Sequence, residues 1–358
     1  MTDFEKNVKI ESYCGDKPCD DMLFHLKMYH PGIPGYALKY DYYVTFKGEK
    51  LAFEEYDVDF NLPTVWITAD RIVIPDYIRQ RGETLTITVR HKKYPQYSST
   101  IHIKMRKYEL TLEDNFETYN TDLWEGVPYG AKTDMSITPV LDNYVRDGQL
   151  CLDFKKLDKP IIKNGKEYYY TDAGVRTKGK FSQKYGCFTA RMKHPSLRTG
   201  VFSAFWLIPV GPYRESYFFK RTDTGDDFHG CGEIDIMEIF DHPDTLGSAH
   251  TEHYWAPGWT DDMPKTKSTL GENYIIPGFQ YGQYQEYSCV WNEYGLYYYV
   301  NGELAKANIN IAPVEDVNEA FIKFTCYIGP KGSNAFYGEV EDKDLPQTLY
   351  VDWLRVYK

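Results

Sequence analysis

Short runs of alternating apolar and polar residues, many of them closed by a turn dipeptide, recur along this chain and leave few folds open to it. Thr84-Leu85-Thr86-Ile87-Thr88-Val89-Arg90 is one such run, and Leu296-Tyr297-Tyr298-Tyr299-Val300 followed by Asn301-Gly302 is another. Alternation with period two puts one set of side chains on each face of a strand, and Asn-Gly or Asp-Gly supplies the positive φ of a tight hairpin. Asp147-Gly148 before residues 149–154 and Asn164-Gly165 before Tyr168-Tyr169-Tyr170 repeat the pattern. No segment carries the caps and 3.6-residue apolar period of a helix three turns long. An all-β sandwich or jelly roll is therefore expected.

The chain's 358 residues exceed the usual single domain. An alternating strand, Ile101-His102-Ile103-Lys104-Met105, ends just before Lys107-Tyr108-Glu109, and a new pattern begins at Leu110-Thr111-Leu112. We expect residues 1–108 to form a small immunoglobulin-like β-sandwich of about seven strands. Residues 109–358 are expected to form a larger two-sheet structure.

With 52 acidic against 41 basic residues, the net charge is -11, which disfavours nucleic acid and anionic membranes as partners and favours an uncharged ligand. Aromatic residues reach 16%, 33 of them Tyr, which suits strands and ring-lined surfaces. There is no apolar run long enough for a membrane span, and Met1-Thr2-Asp3-Phe4-Glu5-Lys6 lacks the layout of an export signal. The expectation is a soluble monomer. Seven scattered cysteines (Cys14, Cys19, Cys151, Cys187, Cys231, Cys289, Cys326) fit neither a disulfide framework nor a zinc site. Mostly free thiols are expected, with Cys14 and Cys19 the one close pair and Cys231 a structural thiol.

The segment Gly232-Glu233-Ile234-Asp235-Ile236-Met237-Glu238 poses a problem of parity. Glu233 and Asp235 share one strand face, while Ile234 and Ile236 take the other as core. Strict alternation would then bury Glu238, at a cost of several kcal/mol for an unpaired charge. A β-bulge at Ile236-Met237 flips the phase and returns Glu238 to the open face. Three crowded carboxylates repel, so at least one should keep its proton to higher pH than a free carboxyl. Retaining glycoside cleavage needs one ionised and one protonated carboxyl about 5 to 5.5 Å apart. Glu233 and Glu238 stand about 13 Å apart along an ideal strand once the bulge is discounted, so their side chains must lean inward. A solvated acidic edge or a calcium site are the alternatives, and the residues alone leave them open.

The same segment resembles the signature of glycoside hydrolase family 16 in its bulged, laminarinase-like form. Residues 171–181, Lys184-Tyr185-Gly186, Ala190-Arg191, Phe205-Trp206-Leu207, residues 284–302 and the ending Leu349-Tyr350-Val351-Asp352-Trp353 resemble its other strands. The likeness covers about residues 110–358 and implies a concanavalin A-like β-jelly-roll with a cleft across one sheet. It implies Glu233 as nucleophile, Glu238 as acid/base and Asp235 as the assisting carboxylate, with no metal or organic cofactor in the chemistry. His250-Thr251-Glu252-His253-Tyr254 resembles the family's Gly-Thr-x-His-Tyr strand, which implies Thr251 and His253 in the cleft and His250 on the opposite face.

Because sugar faces stack on rings, Trp206, Trp255 and Trp259 are candidate subsite platforms, and Arg176 is a further candidate contact. Each also has a plainer reading, Trp206 as core and Arg176 as a solvated charge. Two departures from the pattern stand out. The long segment 209–230 can reshape the cleft, and Asn115 replaces a glutamate that in many relatives holds a structural calcium with the residue equivalent to Asp352. The leading expectation is endo-hydrolysis of a β-1,3- or mixed-linkage β-1,3-1,4-glucan. Alternatives are a β-galactan of agarose, porphyran or carrageenan type, a host O-glycan, or a non-catalytic lectin on the same fold. A polysaccharide partner implies a place outside the cell or at its surface, with any export signal absent from this sequence.

Overall fold

Two units follow one another along the chain, Met1–Glu109 and Leu110–Lys358. A computed structural model describes residues 9–12, 25–29, 38–58, 64–68, 82–92, 98–127, 133–139, 144–210, 218–220, 227–229, 231–240, 247–255, 267–293, 295–308 and 319–358. In the first unit, Glu49–Val58, Leu38–Phe46, Thr84–His91 and Ser98–Lys104 form one antiparallel sheet, and Lys9–Ser12, His25–Tyr29 and Thr64–Thr68 form another. Leu85, Ile87 and Val89, alternate residues of the run noted above, are buried with Ile103 and Met105. Thr88 and Thr100 on the other face join hydroxyls across the strands at 2.9 Å.

The second unit is a sandwich. Among the described residues, one seven-stranded antiparallel sheet runs in the order Lys267–Ile275, Gly247–Trp255, Cys231–Ile239, Val201–Pro209, Ala320–Ile328, Ala173–Arg176, Glu125–Gly126. A ten-stranded sheet backs it, with Gln347–Tyr357, Gly186–Lys193, Tyr284–Asn292, Gly295–Val300 and Glu303–Asn308 as successive neighbours. Phe205, Leu207, Ile234, Ile322 and Phe324 from the first sheet pack on Phe188, Ala190, Trp291, Tyr298 and Leu354 from the second in one continuous core. Hairpins follow the dipeptides that mark them. Asp147, Asn164 and Asn301, each followed by Gly, all adopt positive φ. No helix among the described residues is long and apolar enough to cross a membrane.

Cys151, Cys187, Cys289 and Cys326 are free and buried; the side chains of Cys14, Cys19 and Cys231 lie outside the described residues. Desolvation pushes the Cys289 thiol well above its usual range, which makes it inert.

His194 is fully enclosed beside Tyr281, at 5.5 Å between ring centroids, and burial pushes its pKa down to about 3. It therefore folds neutral, whereas the unfolded chain protonates it near 6.5. Between those values the unfolded state holds one more proton, so stability falls as pH drops. Between pH 7.5 and pH 4.5 this residue should account for about 2 to 3 kcal/mol of lost stability. Urea melts of wild type and His194→Leu at both pH values should show the variant losing less by that amount. Equal losses would contradict neutral burial.

Candidate active site

The acidic strand Cys231–Ile239 lies between Val201–Pro209 and Gly247–Trp255. On the first side Trp206 faces Asp235 and Phe205 faces Met237, so Ile236 has no partner. On the second, Asp235 faces Thr251 and Glu238 faces Ala249, so Ile236 and Met237 together stand opposite His250. This is a β-bulge at Ile236-Met237, the step that parity requires. Ile234, Ile236, Met237 and Ile239 are all in the shared core. Glu233 and Glu238 are half-buried on the other face, and Asp235 between them is 2% exposed.

Strand Gly247–Trp255 supplies the partners. Thr251 and His253, two residues apart, face the acids. The Thr251 hydroxyl donates to Glu238 Oε2 at 2.7 Å, and His253 Nε2 lies 3.1 Å from Asp235 Oδ2. Glu233, Asp235 and His253 present ligand-type atoms within 4.8 Å of one another. A carboxylate as enclosed as Asp235 needs such a neighbour, because an unpaired buried charge is costly.

The same register carries a row of side chains away from the acids: Asp235, then Trp206, then Lys323, then Arg176, each opposite the next on adjacent strands. At about 4.8 Å per strand, Arg176 stands roughly 14 Å from the acids, and its Nε donates to Glu125 at 2.6 Å. Lys323 Nζ sits 3.6 Å from the Trp206 ring centroid, and the indole N–H donates to Thr325 Oγ1 at 3.0 Å. Trp206 is thus on the open face, as proposed from sequence, with a cation already over its ring. The side chain of Trp255 and all of Trp259 lie outside the described residues. In segment 209–230, Phe218–Lys220 and Asp227–His229 pair as a short hairpin.

An aromatic cluster on this face escaped the sequence reading. Ala204 faces Glu238, and Phe202 lies two residues further along the same face. Phe202 packs with Phe240, Tyr327, Phe336 and Tyr337 at centroid distances of 5.5 to 6.0 Å. Phe336 is 67% exposed on top of this stack. Period two could have found Phe202. Phe336 comes from a loop more than 130 residues away, and nothing local in the sequence links them.

Residues 132–318 match the profile of Glycosyl hydrolases family 16, over half of the chain. The chain belongs to family 16. It is 27% identical over 232 residues to the glucan endo-1,3-beta-glucosidase A1 of Niallia circulans, covering 60% of this chain and 30% of that protein. It is 25% identical over 261 residues to the keratan-sulfate endo-1,4-beta-galactosidase of Sphingobacterium multivorum, covering 70% of this chain and 55% of that one. The chain therefore spans less than two thirds of either relative. The laminarinase catalytic domain of Thermotoga maritima shares the fold, with a TM-score of 0.52 at 20% identity over 71% of this chain and 99% of that domain. This makes the second unit a concanavalin A-like β-jelly-roll.

At the calcium pair suggested by the family-16 likeness this chain carries Asn115 and Asp352. Asp352 is engaged by Arg191 Nη1 at 2.5 Å, so a guanidinium already supplies the positive charge there, and Asn115 brings none of the negative charge that a cation would want.

Because Phe336 is largely exposed, Phe336→Ala should leave stability within about 0.5 kcal/mol. If its ring is a sugar platform, kcat/KM on a polymeric glycan should fall about tenfold, a loss within the range of one aromatic stacking contact. Initial rates would measure this, and unchanged rates would remove the platform role.

Proposed function

We propose that the protein is a retaining endo-β-glycosidase that cleaves internal linkages of a polysaccharide. The observation that carries this reading is the bulged strand, which presents Glu233 and Glu238 on one face with Thr251 bonded to Glu238. In the first step Glu233 carboxylate attacks the anomeric carbon while Glu238 delivers a proton to the departing glycosidic oxygen. The C–O bond breaks and a glycosyl ester forms on Glu233. In the second step Glu238, now ionised, takes a proton from water as that water attacks the anomeric carbon, breaking its bond to the Glu233 oxygen and freeing the carboxylate. Thr251 holds Oε2 of Glu238, which leaves Oε1 to carry the proton. Asp235, braced by His253, sits beside Glu233 and keeps its position and charge steady.

For the substrate, the Niallia relative supports a β-1,3- or mixed-linkage glucan. A second reading is favoured by Lys323 beside Arg176, the latter paired with Glu125, two cationic side chains on the cleft face of a chain whose net charge is -11. A β-galactan or host glycan bearing sulfate or carboxylate would meet them, and the keratan-sulfate relative points the same way. Either polymer would be encountered outside the cell or at its surface. For residues 1–108 we propose an immunoglobulin-like accessory module that supports the catalytic unit or its binding to glycan.

Glu233→Gln should cut turnover by at least about 10³-fold while oligosaccharide affinity stays within a few-fold. Calorimetry alongside reducing-end assays measures both. A variant that still hydrolyses at the wild-type rate would end the nucleophile assignment, and one lectin-like in both forms would end the enzyme reading. Digestion of laminarin, mixed-linkage glucan, agarose, carrageenan, keratan sulfate and mucin glycans separates the substrates. With Lys323→Met, rates on sulfated polymers should fall and rates on neutral ones hold.

A further inference from the structure

Behind the acidic strand, the core contains a set of buried polar groups centred on His250. This residue is the one that stands opposite the two bulged residues, Ile236 and Met237. Its side chain points into the core and turns back to them. His250 Nδ1 lies 2.7 Å from the Ile236 carbonyl oxygen, and Ser248 Oγ lies 3.0 Å from Nε2. A carbonyl can only accept, so Nδ1 carries the proton and Nε2 accepts from the serine hydroxyl. Full burial keeps the ring neutral, with a pKa near 4. That fixes one tautomer and one ring orientation.

The strand around His250 is itself anchored to the opposite sheet. Lys306 Nζ donates to the His250 carbonyl at 3.1 Å and to Glu252 Oε2 at 2.6 Å, while the Tyr298 hydroxyl donates to Glu252 Oε1 at 2.6 Å. Glu252 and Lys306 are 0% and 5% exposed. Lys306 and Tyr298 belong to Glu303–Asn308 and Gly295–Val300, so the network spans the sandwich at the level of the bulge. Successive residues of one strand thereby divide their work: Ser248, His250 and Glu252 face the core, Thr251 and His253 face the acids. His250 also stands where the family-16 pattern described above has glycine.

A bulge leaves its extra residue outside the ladder, and a buried carbonyl there needs a donor from elsewhere. Met237 and Glu238 follow that carbonyl directly, so the torsions it fixes set the direction of Glu238. We propose that His250 is a positioning residue for the acid/base: it holds the Ile236 carbonyl, and with it the phase of the strand that aims Glu238 at the glycosidic oxygen. This rests on the assignment of Glu238 as acid/base.

The test is a set of variants in the full chain, assayed for kcat and KM on the polymer the enzyme prefers, with a thermal melt of each. His250→Phe keeps a ring and removes the donor, and kcat should fall about 10- to 100-fold, the scale of a small misplacement, with KM within about twofold. His250→Asn can place an amide N–H near the former Nδ1, and kcat should recover to within a few-fold of wild type even though its melt is lowered as much. Wild-type kcat in His250→Phe would overturn the proposal, as would a kcat that follows the melting temperature across both variants. Should His250→Phe fail to fold, Ser248→Ala replaces it. Freeing Nε2 loosens the tautomer, so kcat should drop several-fold at unchanged KM, and no drop would overturn the proposal. Glu238→Gln is run in parallel. An active Glu238→Gln enzyme would defeat the acid/base assignment itself, while an inactive one beside a normal His250→Phe enzyme defeats only the inference drawn for His250.

Discussion

An ionised glutamate cannot share a face with Ile234 and Ile236 in a core from which water is excluded, and the second unit is arranged around that prohibition. The bulge at Ile236-Met237 lets four apolar side chains of one strand enter the core while Glu233, Asp235 and Glu238 reach the open face. Without the extra residue, either the acids are separated or the core takes in a charge. The neighbouring strands conform to the same step. Val201–Pro209 and Gly247–Trp255 both shift register beside it, and the residues they bring to the acids, Trp206, Thr251 and His253, are those the shifted register selects.

Holding an irregular strand inside a sandwich requires polar groups where apolar ones would otherwise pack. The Glu252–Lys306 pair, with the Tyr298 hydroxyl, is nearly dry. Desolvating such a pair offsets much of its attraction, so its net contribution to stability is small. What it contributes is definition, since its three members come from strands of both sheets and meet at one register. Burial raises the Glu252 carboxyl, and Lys306 opposes that rise. Removing Lys306 alone would leave an acid with no counter-charge beneath the catalytic face.

Local patterns in the chain carried the parts of the site that depend on one strand at a time. Period two located the bulge, because Ile234, Ile236 and Glu238 conflict within five residues. The resemblance to the family's Gly-Thr-x-His-Tyr strand separated Thr251 and His253 from His250, although what His250 bonds to depends on the bulge geometry. Contacts between distant segments were illegible for a physical reason: hydrophobic runs specify which face is buried and not what lies against it. Lys306 meets Glu252 across 54 residues. Likewise Lys323 reaches Trp206 and Phe336 reaches Phe202 only because the sheet order brings their strands and loops together. Arg191 and Asp352, 161 residues apart, are another such pair.

The most direct measurement of the central claim, that the bulge brings two carboxyls into range for a covalent intermediate, is the anomeric configuration of the first product. Proton NMR of a reaction followed from its first seconds, before mutarotation, should show the new reducing end in the β configuration of the bond that was cut. An initial α product would mean that water attacks directly, that the two carboxyls are further apart than a double displacement allows, and that Glu233 is not the nucleophile.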